Sequence, residues 1–147
     1  MRRAALFDMD GTLADVSGIR HYVRGPRKSK DFDSFHALSV DCPPHQWVVE
    51  MARGFSNQGI DVVIVTARKA KWRGPTAWFL AQNDVPSAAL FMRADKDGRP
   101  DVEVKRDILA AIRRTWVPVV AVDDNPSVIA LWKSEGIPTI IVPGWEA

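Results

Sequence analysis

Short apolar runs rich in β-branched residues alternate with helical patterns along most of this chain, and this alternation limits the fold more than any other feature. The apolar runs predict five strands, at residues 4–7, 61–65, 88–92, 117–122 and 139–142. The helical patterns lie at residues 43–57, 76–83, 102–114 and 126–134. Strands that alternate with helices are typical of a parallel sheet with right-handed crossovers. We therefore expect an α/β fold with a parallel sheet flanked by helices.

Length and composition indicate one cytoplasmic domain. A chain of 147 residues suits a single domain with a hydrophobic core, so we expect one domain over residues 1–147. The apolar runs are too short to cross a membrane, and Asp8 interrupts any signal-peptide core near the N-terminus. Cys42 is the only cysteine in the sequence, which excludes an internal disulfide and fits a reducing cytosol. We expect no membrane partner.

One long stretch, residues 14–42, does not follow the alternation. It is polar, charged and irregular, and it joins the first strand to the first helix. A loop of this length inside a compact domain is usually functional or disordered. Because it directly follows the first strand, it is either a flap or small cap over a site or a floppy surface insertion.

Basic residues are clustered although the net charge is only +2. Three groups stand out: Arg20, Arg24, Arg27, Lys28 and Lys30; Lys69, Lys71 and Arg73; and Arg93, Lys96 and Arg99. Each group is either solvated surface or, if the groups share one face, an attractant for an anionic substrate.

Two aspartates, Asp8 and Asp10, directly follow the first predicted strand. Strand residues two apart point to the same face, so we expect both carboxylates to converge just beyond the strand end. Two carboxylates held together bind a hard cation well. Gly11 then allows the chain to turn sharply.

The ends of the other strands carry residues of complementary chemistry. Thr66, Ala67 and Arg68 follow the second strand, Arg93 lies near the third, Asp123 and Asp124 follow the fourth, and Lys105 lies early in the preceding helix. Open parallel sheets bind ligands beyond the carboxyl ends of their strands. A carboxylate can attack phosphorus, and a second carboxyl can protonate the leaving oxygen and then deprotonate water. A lysine can balance the charge of the transferring phosphoryl group.

These motifs resemble those of the haloacid dehalogenase superfamily, in the same order along the chain. The matching segments are Asp8-Met9-Asp10-Gly11-Thr12, Thr66, Lys105 and Asp123-Asp124. The resemblance implies a Rossmann-like fold and Mg²⁺-dependent phosphate chemistry. An aspartate two residues after the nucleophile is the phosphatase pattern, which disfavours dehalogenation.

The same resemblance implies a role for each motif residue. Asp8 would be the nucleophile, Asp10 the general acid and base, and Thr66 and Lys105 the catalytic groups that bind phosphate. The metal ligands would be Asp8, Asp10 and Asp123. Asp124 would be either a further acid of the metal site or a group that orients Lys105.

A narrower resemblance concerns the substrate. Residues 65–68, 101–105 and 121–125 resemble the corresponding motifs in the 3′-phosphatase domain of phage polynucleotide kinases. This implies a nucleic-acid 3′-phosphate as substrate, with Arg68 and Arg93 as further contacts beside the backbone at Met9 and Ala67. The chain has no GxxxxGK[ST] segment, so no P-loop kinase motif is present in it.

We therefore predict a Mg²⁺-dependent phosphomonoesterase that forms an aspartyl-phosphate and removes 3′-phosphates from polynucleotide ends in nucleic-acid repair. A separate kinase or ligase is the expected partner. Two alternatives remain open: a phosphatase for nucleotides or sugar phosphates, and a binding module without turnover.

The three histidines show no ligand spacing and receive no catalytic role. Trp78, Trp116, Trp132 and Trp145 are interpreted as packing residues, with Trp72, beside Lys71 and Arg73, as a partial exception.

Overall fold

The computed structural model describes residues 1–24, 30–39 and 41–145. Its strands are β1 (Arg2–Phe7), β2 (Asp61–Lys69), β3 (Ala89–Arg93), β4 (Trp116–Asp123) and β5 (Thr139–Ile141). They pair in parallel as one sheet in the order β3-β2-β1-β4-β5. Helices α2 (Gln46–Asn57), α3 (Arg73–Gln82), α4 (Asp101–Ile112) and α5 (Pro126–Ser134) connect successive strands. The prediction of a Rossmann-like α/β fold is confirmed.

Each face of the sheet is covered by helices, and the alternation of side chains along β1 shows how. Ala5 and Phe7 pack into a core that includes residues of α2 and α3. Ala4 and Leu6 pack into a second core that includes residues of α4 and α5. Because successive strand residues point to opposite faces, a strand buried on both sides is apolar throughout. This explains why the central strands are continuous apolar runs in the sequence.

Strand β2 is longer than the apolar run predicts. It continues to Lys69, and its pairing with β3 shifts register between Val65 and Lys69. Thr66, Ala67 and Arg68 therefore lie within the irregular last part of the strand and not after it. The difference arises because the apolar pattern stops at Val65, whereas the extended backbone continues across polar residues.

The insertion between β1 and α2 is more ordered than its sequence indicates. A 3₁₀ turn spans Arg20–Val23, and a helix, α1, spans Phe32–Ser39. Phe35 of α1 is buried in the core shared with α2 and α3. Residues 25–29 and 40 lie outside the described residues, and they include Arg27 and Lys28 of the first basic group. Among the helices that the structure describes, none is long and apolar enough to cross a bilayer.

Asp61 joins the first residues of three neighbouring strands. Its carboxylate accepts hydrogen bonds from Arg2 Nε at 2.6 Å and from Trp116 Nε1 at 2.9 Å. The hydrogen bond from Arg2, followed by that from Trp116, lowers the pKa of Asp61 from 3.8 to about 2. A carboxyl whose pKa is lower in the folded state stabilises the fold above its unfolded pKa, and this contribution is lost as pH falls toward the folded value.

We therefore expect Asp61→Asn to lower the melting temperature at neutral pH by an amount that shrinks as pH falls from about 4 to about 2. Thermal unfolding of wild type and variant across this range checks the prediction. A difference in melting temperature that is the same at pH 2 and pH 7 would contradict it.

Candidate active site

The carboxyl ends of β1 and β4 meet at the centre of the sheet, where the strand order reverses direction. Asp8 directly follows β1, and Asp123 is the last residue of β4. The backbone N–H of Asp8 donates to Val122 O at 3.1 Å, which keeps the two chains side by side. Such a reversal point is where open α/β sheets hold their ligands.

Three buried carboxylates form an acidic cluster, which we define as Asp8, Asp123 and Asp124. One carboxylate oxygen from each lies within 4.8 Å of the others. Burial and the charge of Asp123 hold the pKa of Asp8 well above its usual range. The same two causes raise the pKa of Asp124 to about 6. Buried carboxylates so close together repel one another, and their oxygens are the ligands that a hard divalent cation prefers.

Lys105 of α4 extends its ammonium group into this cluster. Its Nζ donates to Asp8 Oδ1 at 2.8 Å and to Asp123 Oδ2 at 3.0 Å, and the residue is only 2% exposed. Burial alone lowers the pKa of Lys105, but the charges of Asp123 and Asp8 outweigh it and raise the pKa above its usual range. The ammonium group of Lys105 thus pairs with two of the three carboxylates of the cluster.

The orientation of Asp123 is set by its own neighbours. Its Oδ1 accepts the backbone N–H groups of Asp124 at 2.9 Å and Asn125 at 3.1 Å. Its Oδ2 accepts Trp132 Nε1 at 3.3 Å. Asn125 caps α5 by accepting the N–H of Ser127 at 3.1 Å, so the start of α5 holds the end of β4 in place.

The two-residue spacing led us to expect Asp10 beside Asp8, but the Asp10 carboxylate is not part of the acidic cluster. It is paired with the Arg68 guanidinium, whose Nε donates to Asp10 Oδ2 at 2.9 Å and whose Nη2 donates to Oδ1. Burial raises the pKa of Asp10, but the charge and hydrogen bonds of Arg68 outweigh it and lower the pKa. The third carboxylate beside those of Asp8 and Asp123 is that of Asp124. Unlike the other two carboxylates, it accepts no hydrogen bond from Lys105.

The other predicted site residues lie in β2 and just after β1. Thr66 is buried, and its Oγ1 accepts the backbone N–H of Arg68 at 3.1 Å. Arg68 Nη1 donates to Thr76 Oγ1 at 2.9 Å, which fixes the guanidinium from its far side. The Met9 side chain is fully buried in the core, so only its backbone can face a ligand.

The Arg93 side chain donates hydrogen bonds to the loop between β3 and α4 and is not free at the sheet edge. Its guanidinium donates to Ala67 O at 2.8 Å, to the carbonyl oxygens of Asp97 and Arg99, and to Asp101 Oδ1 at 2.7 Å. Four of its five N–H groups are therefore engaged within the protein. A contact between Arg93 and substrate stays a prediction.

Two residues of the insertion reach the site, and sequence reasoning gave neither a role there. Arg20 Nη2 lies 3.4 Å from Asp124 Oδ2. His36 of α1 has its Nδ1 3.9 Å from Asp10 Oδ2, and within the described part of the chain that nitrogen has no hydrogen-bond partner. Burial lowers the pKa of His36. Arg20 belongs to a basic group visible in the sequence, whereas no spacing pointed to His36.

Thr12, a motif residue with no assigned role, also touches the nucleophile candidate. Its Oγ1 donates to Asp8 Oδ2 at 3.1 Å. The two oxygens of Asp8 are therefore held by different donors, Lys105 on Oδ1 and Thr12 on Oδ2.

Gly11 turns the chain beneath this cluster with φ of +82°. A Cβ at this position would lie 1.9 Å from Asp124 Oδ2 and 2.9 Å from Arg20 Nη2. We expect Gly11→Ala to lower the free energy of unfolding by about 1–3 kcal/mol more than a change that only strains the backbone. Gly136→Ala is the matched control, because its φ is +76° and no heavy atom lies within 4 Å of its Cβ position.

Urea unfolding of both glycine variants measures this difference. Equal losses of stability in the two variants would show that contact between residue 11 and Asp124 has no energetic consequence.

Comparisons with known proteins identify the family and the fold of this chain. The family model of the polynucleotide kinase PNKP phosphatase domain matches residues 2–144. A protein of Autographa californica nuclear polyhedrosis virus, named "Putative bifunctional polynucleotide kinase/RNA ligase", is 28% identical over 141 residues, which are 94% of this chain and 19% of that protein. The chain therefore spans about a fifth of this relative.

Two solved structures share the fold. A chain of the Pnkp1/Rnl/Hen1 RNA repair complex superposes with a TM-score of 0.83 at 24% identity, over 97% of this chain and 42% of that chain. The class C acid phosphatase from Bacillus anthracis superposes with a TM-score of 0.71 at 18% identity, over 99% of this chain and 68% of that chain. Since the family model covers nearly the whole sequence, this chain belongs to the family of polynucleotide kinase PNKP phosphatase domains, a family of the haloacid dehalogenase type.

Proposed function

We propose that this protein is a Mg²⁺-dependent phosphomonoesterase that removes 3′-phosphates from polynucleotide ends through an aspartyl-phosphate on Asp8. The observation that carries the proposal is the position of Asp8, held between Lys105 and Thr12 at the reversal point of the sheet. Family membership supplies the reaction class. The site residues supply the mechanism below.

The acidic cluster suits a divalent cation. Asp8, Asp123 and Asp124 offer three carboxylate oxygens, and burial together with the charge of Asp123 raises the pKa values of Asp8 and Asp124. A bound cation would relieve the repulsion between these carboxylates. The Asp10 backbone carbonyl is a further ligand in this proposal, whereas the Asp10 carboxylate, paired with Arg68 in this structure, is not. Bound Mg²⁺ would offset the charge of the phosphate oxygens.

Asp8 is the proposed nucleophile. One of its carboxylate oxygens forms a bond to phosphorus while the bond from phosphorus to the 3′-oxygen breaks, which leaves the phosphoryl group on Asp8. Lys105 offsets negative charge on both the carboxylate and the phosphoryl oxygens. Water then attacks the phosphorus, the bond to Asp8 breaks, and inorganic phosphate leaves.

Asp10 is the proposed carrier of the proton. It donates a proton to the departing 3′-oxygen in the first half of the reaction and takes a proton from the attacking water in the second. Its pairing with Arg68 favours the ionised form, which suits the second half. The first half needs a protonated Asp10, so we infer that the ion pair loosens when the substrate phosphate competes for Arg68.

The remaining proposed contacts bind the phosphate. The Thr66 hydroxyl, the Arg68 guanidinium and the backbone N–H groups of Met9 and Ala67 would hold its oxygens, with Arg93 supporting Ala67 through the carbonyl contact at 2.8 Å. The insertion, through Arg20 and His36, would act as the small cap over the bound end.

The proposed substrate and partners follow from the relatives. One relative carries polynucleotide kinase and RNA ligase in its name, and a solved relative is part of an RNA repair complex. We propose that this protein acts in nucleic-acid repair in the cytoplasm, next to a separate kinase or ligase: the kinase would supply the 5′-phosphate, and the ligase would join it to the 3′-hydroxyl that this protein generates.

A panel of phosphate esters tests this function. We expect phosphate release from a 3′-phosphorylated oligonucleotide with Mg²⁺, none with a chelator, and little from the same oligonucleotide with a 5′-phosphate. Asp10→Asn is the control for contaminating phosphatases. Release from β-glycerophosphate or a sugar phosphate with none from the oligonucleotide would overturn the substrate and keep the phosphatase class. No release from any ester by the folded protein would favour a binding module.

A further inference from the structure

A surface cleft opens directly beside the acidic cluster. Its volume is about 410 Å³, and the residues that line it include Asp124, Pro126, Ile141 and Trp145. This volume falls within the range of about 300–1,000 Å³ in which proteins bind small ligands. The mechanism above leaves this cleft unused.

The sheet places the cleft on the catalytic side of the molecule. Asp123 pairs with Ile141 across the β4–β5 ladder, and the N–H of Val142 donates to Asp123 O at 3.0 Å. Trp145 follows β5 by only a few residues. The apolar wall of the cleft is therefore an extension of the edge of the sheet that carries Asp8 and Asp123.

Trp145 presents an aromatic surface to solvent at this place. The residue is 40% exposed, and the neighbouring Ile141 is 54% exposed. The Arg20 guanidinium lies 5.4 Å from the centroid of the Trp145 ring, while its Nη2 reaches toward Asp124. Arg20 thus links the aromatic wall of the cleft to the acidic cluster.

We propose that this cleft holds the terminal nucleobase of the 3′-phosphorylated polynucleotide, stacked on Trp145. The proposal rests on the proposed function and specifies its substrate-binding surface. An aromatic face, apolar side walls and an adjacent guanidinium together fit a flat base that is attached to an anionic sugar-phosphate. A sugar phosphate without a base would leave the aromatic and apolar walls exposed to water, so the cleft favours a nucleoside over a simple sugar.

Two matched oligonucleotides test the proposal. Both carry a 3′-phosphate, and one lacks the base of its terminal nucleotide. We expect wild type to have a kcat/KM about tenfold higher for the intact end than for the abasic end, mostly through KM. Trp145→Ala should remove this preference, and Trp145→Phe should keep most of it, because stacking needs only an aromatic ring. Trp78→Ala is the control, because Trp78 of α3 is 49% exposed and does not line the cleft, and we expect it to keep the wild-type preference.

Each other outcome overturns a defined part of the account. Equal kcat/KM of wild type for the two ends, with both hydrolysed, refutes base stacking and leaves the proposed function intact. An equal fall for both ends in Trp145→Ala, with the preference kept, assigns Trp145 a structural role and also refutes base stacking. Failure of wild type on both ends alongside hydrolysis of β-glycerophosphate refutes the proposed function, and the nucleobase subsite with it.

Discussion

Replacing Asp8 with asparagine is expected to slow phosphate release by at least about a thousandfold, which corresponds to roughly 4 kcal/mol in the activation barrier. The amide keeps the size of the side chain and its ability to accept the hydrogen bond from Thr12, but it cannot form the aspartyl-phosphate. Steady-state phosphate release from a 3′-phosphorylated oligonucleotide measures the effect. A variant that matches wild type in rate would exclude the covalent mechanism.

The fold of Asp8→Asn should remain intact. The variant removes one buried carboxylate whose pKa is raised by burial and by the charge of Asp123, so the metal-free melting temperature should not fall. Asp84→Asn is a matched control, because Asp84 is exposed and precedes β3, at the opposite edge of the sheet. Asparagine also tolerates the positive φ of 52° at that position. We expect this control to retain the wild-type rate.

Replacing Lys105 with methionine should have the largest effect on stability. Methionine has a similar length, but Asp8 and Asp123 would lose the ammonium that contacts them at 2.8 and 3.0 Å. Removing one partner of a buried ion pair costs about 3–5 kcal/mol. This should lower the melting temperature by about 10 °C in a domain of this size. The phosphatase activity should also be lost.

Thermal unfolding of Lys105→Met without metal measures this loss of stability. Lys133→Met is the control, because Lys133 is exposed in the last turn of α5. The double variant Asp8→Asn with Lys105→Met should be more stable than Lys105→Met alone, because one of the two uncompensated charges is gone. A melting temperature for Lys105→Met equal to that of the control would show that the ammonium does not offset the buried carboxylates.

The fold was predictable because its central strands are buried on both faces. This burial makes strands such as β1 and β4 into continuous apolar runs, and their helices carry apolar residues at regular spacing. The long polar insertion was not predictable in the same way. Helix α1 buries only Phe35 and Ser39, so too few apolar residues repeat to mark it as a helix.

The composition of the acidic cluster was predicted only in part, and the reason lies in the strand ends. The same-face rule for residues two apart holds only inside a strand, and β1 ends at Phe7, before Asp8. Asp10 therefore turns to Arg68, a residue far along the chain. Asp124 joins Asp123 for the same reason, because β4 ends at Asp123 and neighbouring residues no longer point to opposite faces.

The contacts made by Arg20 and His36 depend on how the insertion folds back over the sheet. Both residues are polar side chains in an irregular sequence, and their partners, Asp124 and Asp10, belong to different loops. No local pattern encodes such long-range contacts, so they emerge only from the three-dimensional structure.

The most direct test of the account is to follow the phosphoryl group itself. An oligonucleotide with a radiolabelled 3′-phosphate is mixed with excess enzyme and Mg²⁺, quenched in acid at short times, and the protein is digested and mapped. We predict that label appears transiently on the peptide that contains Asp8 and never on that peptide of Asp8→Asn. Label that passes to inorganic phosphate at every time without residing on this peptide, or that resides on another residue, would contradict the account.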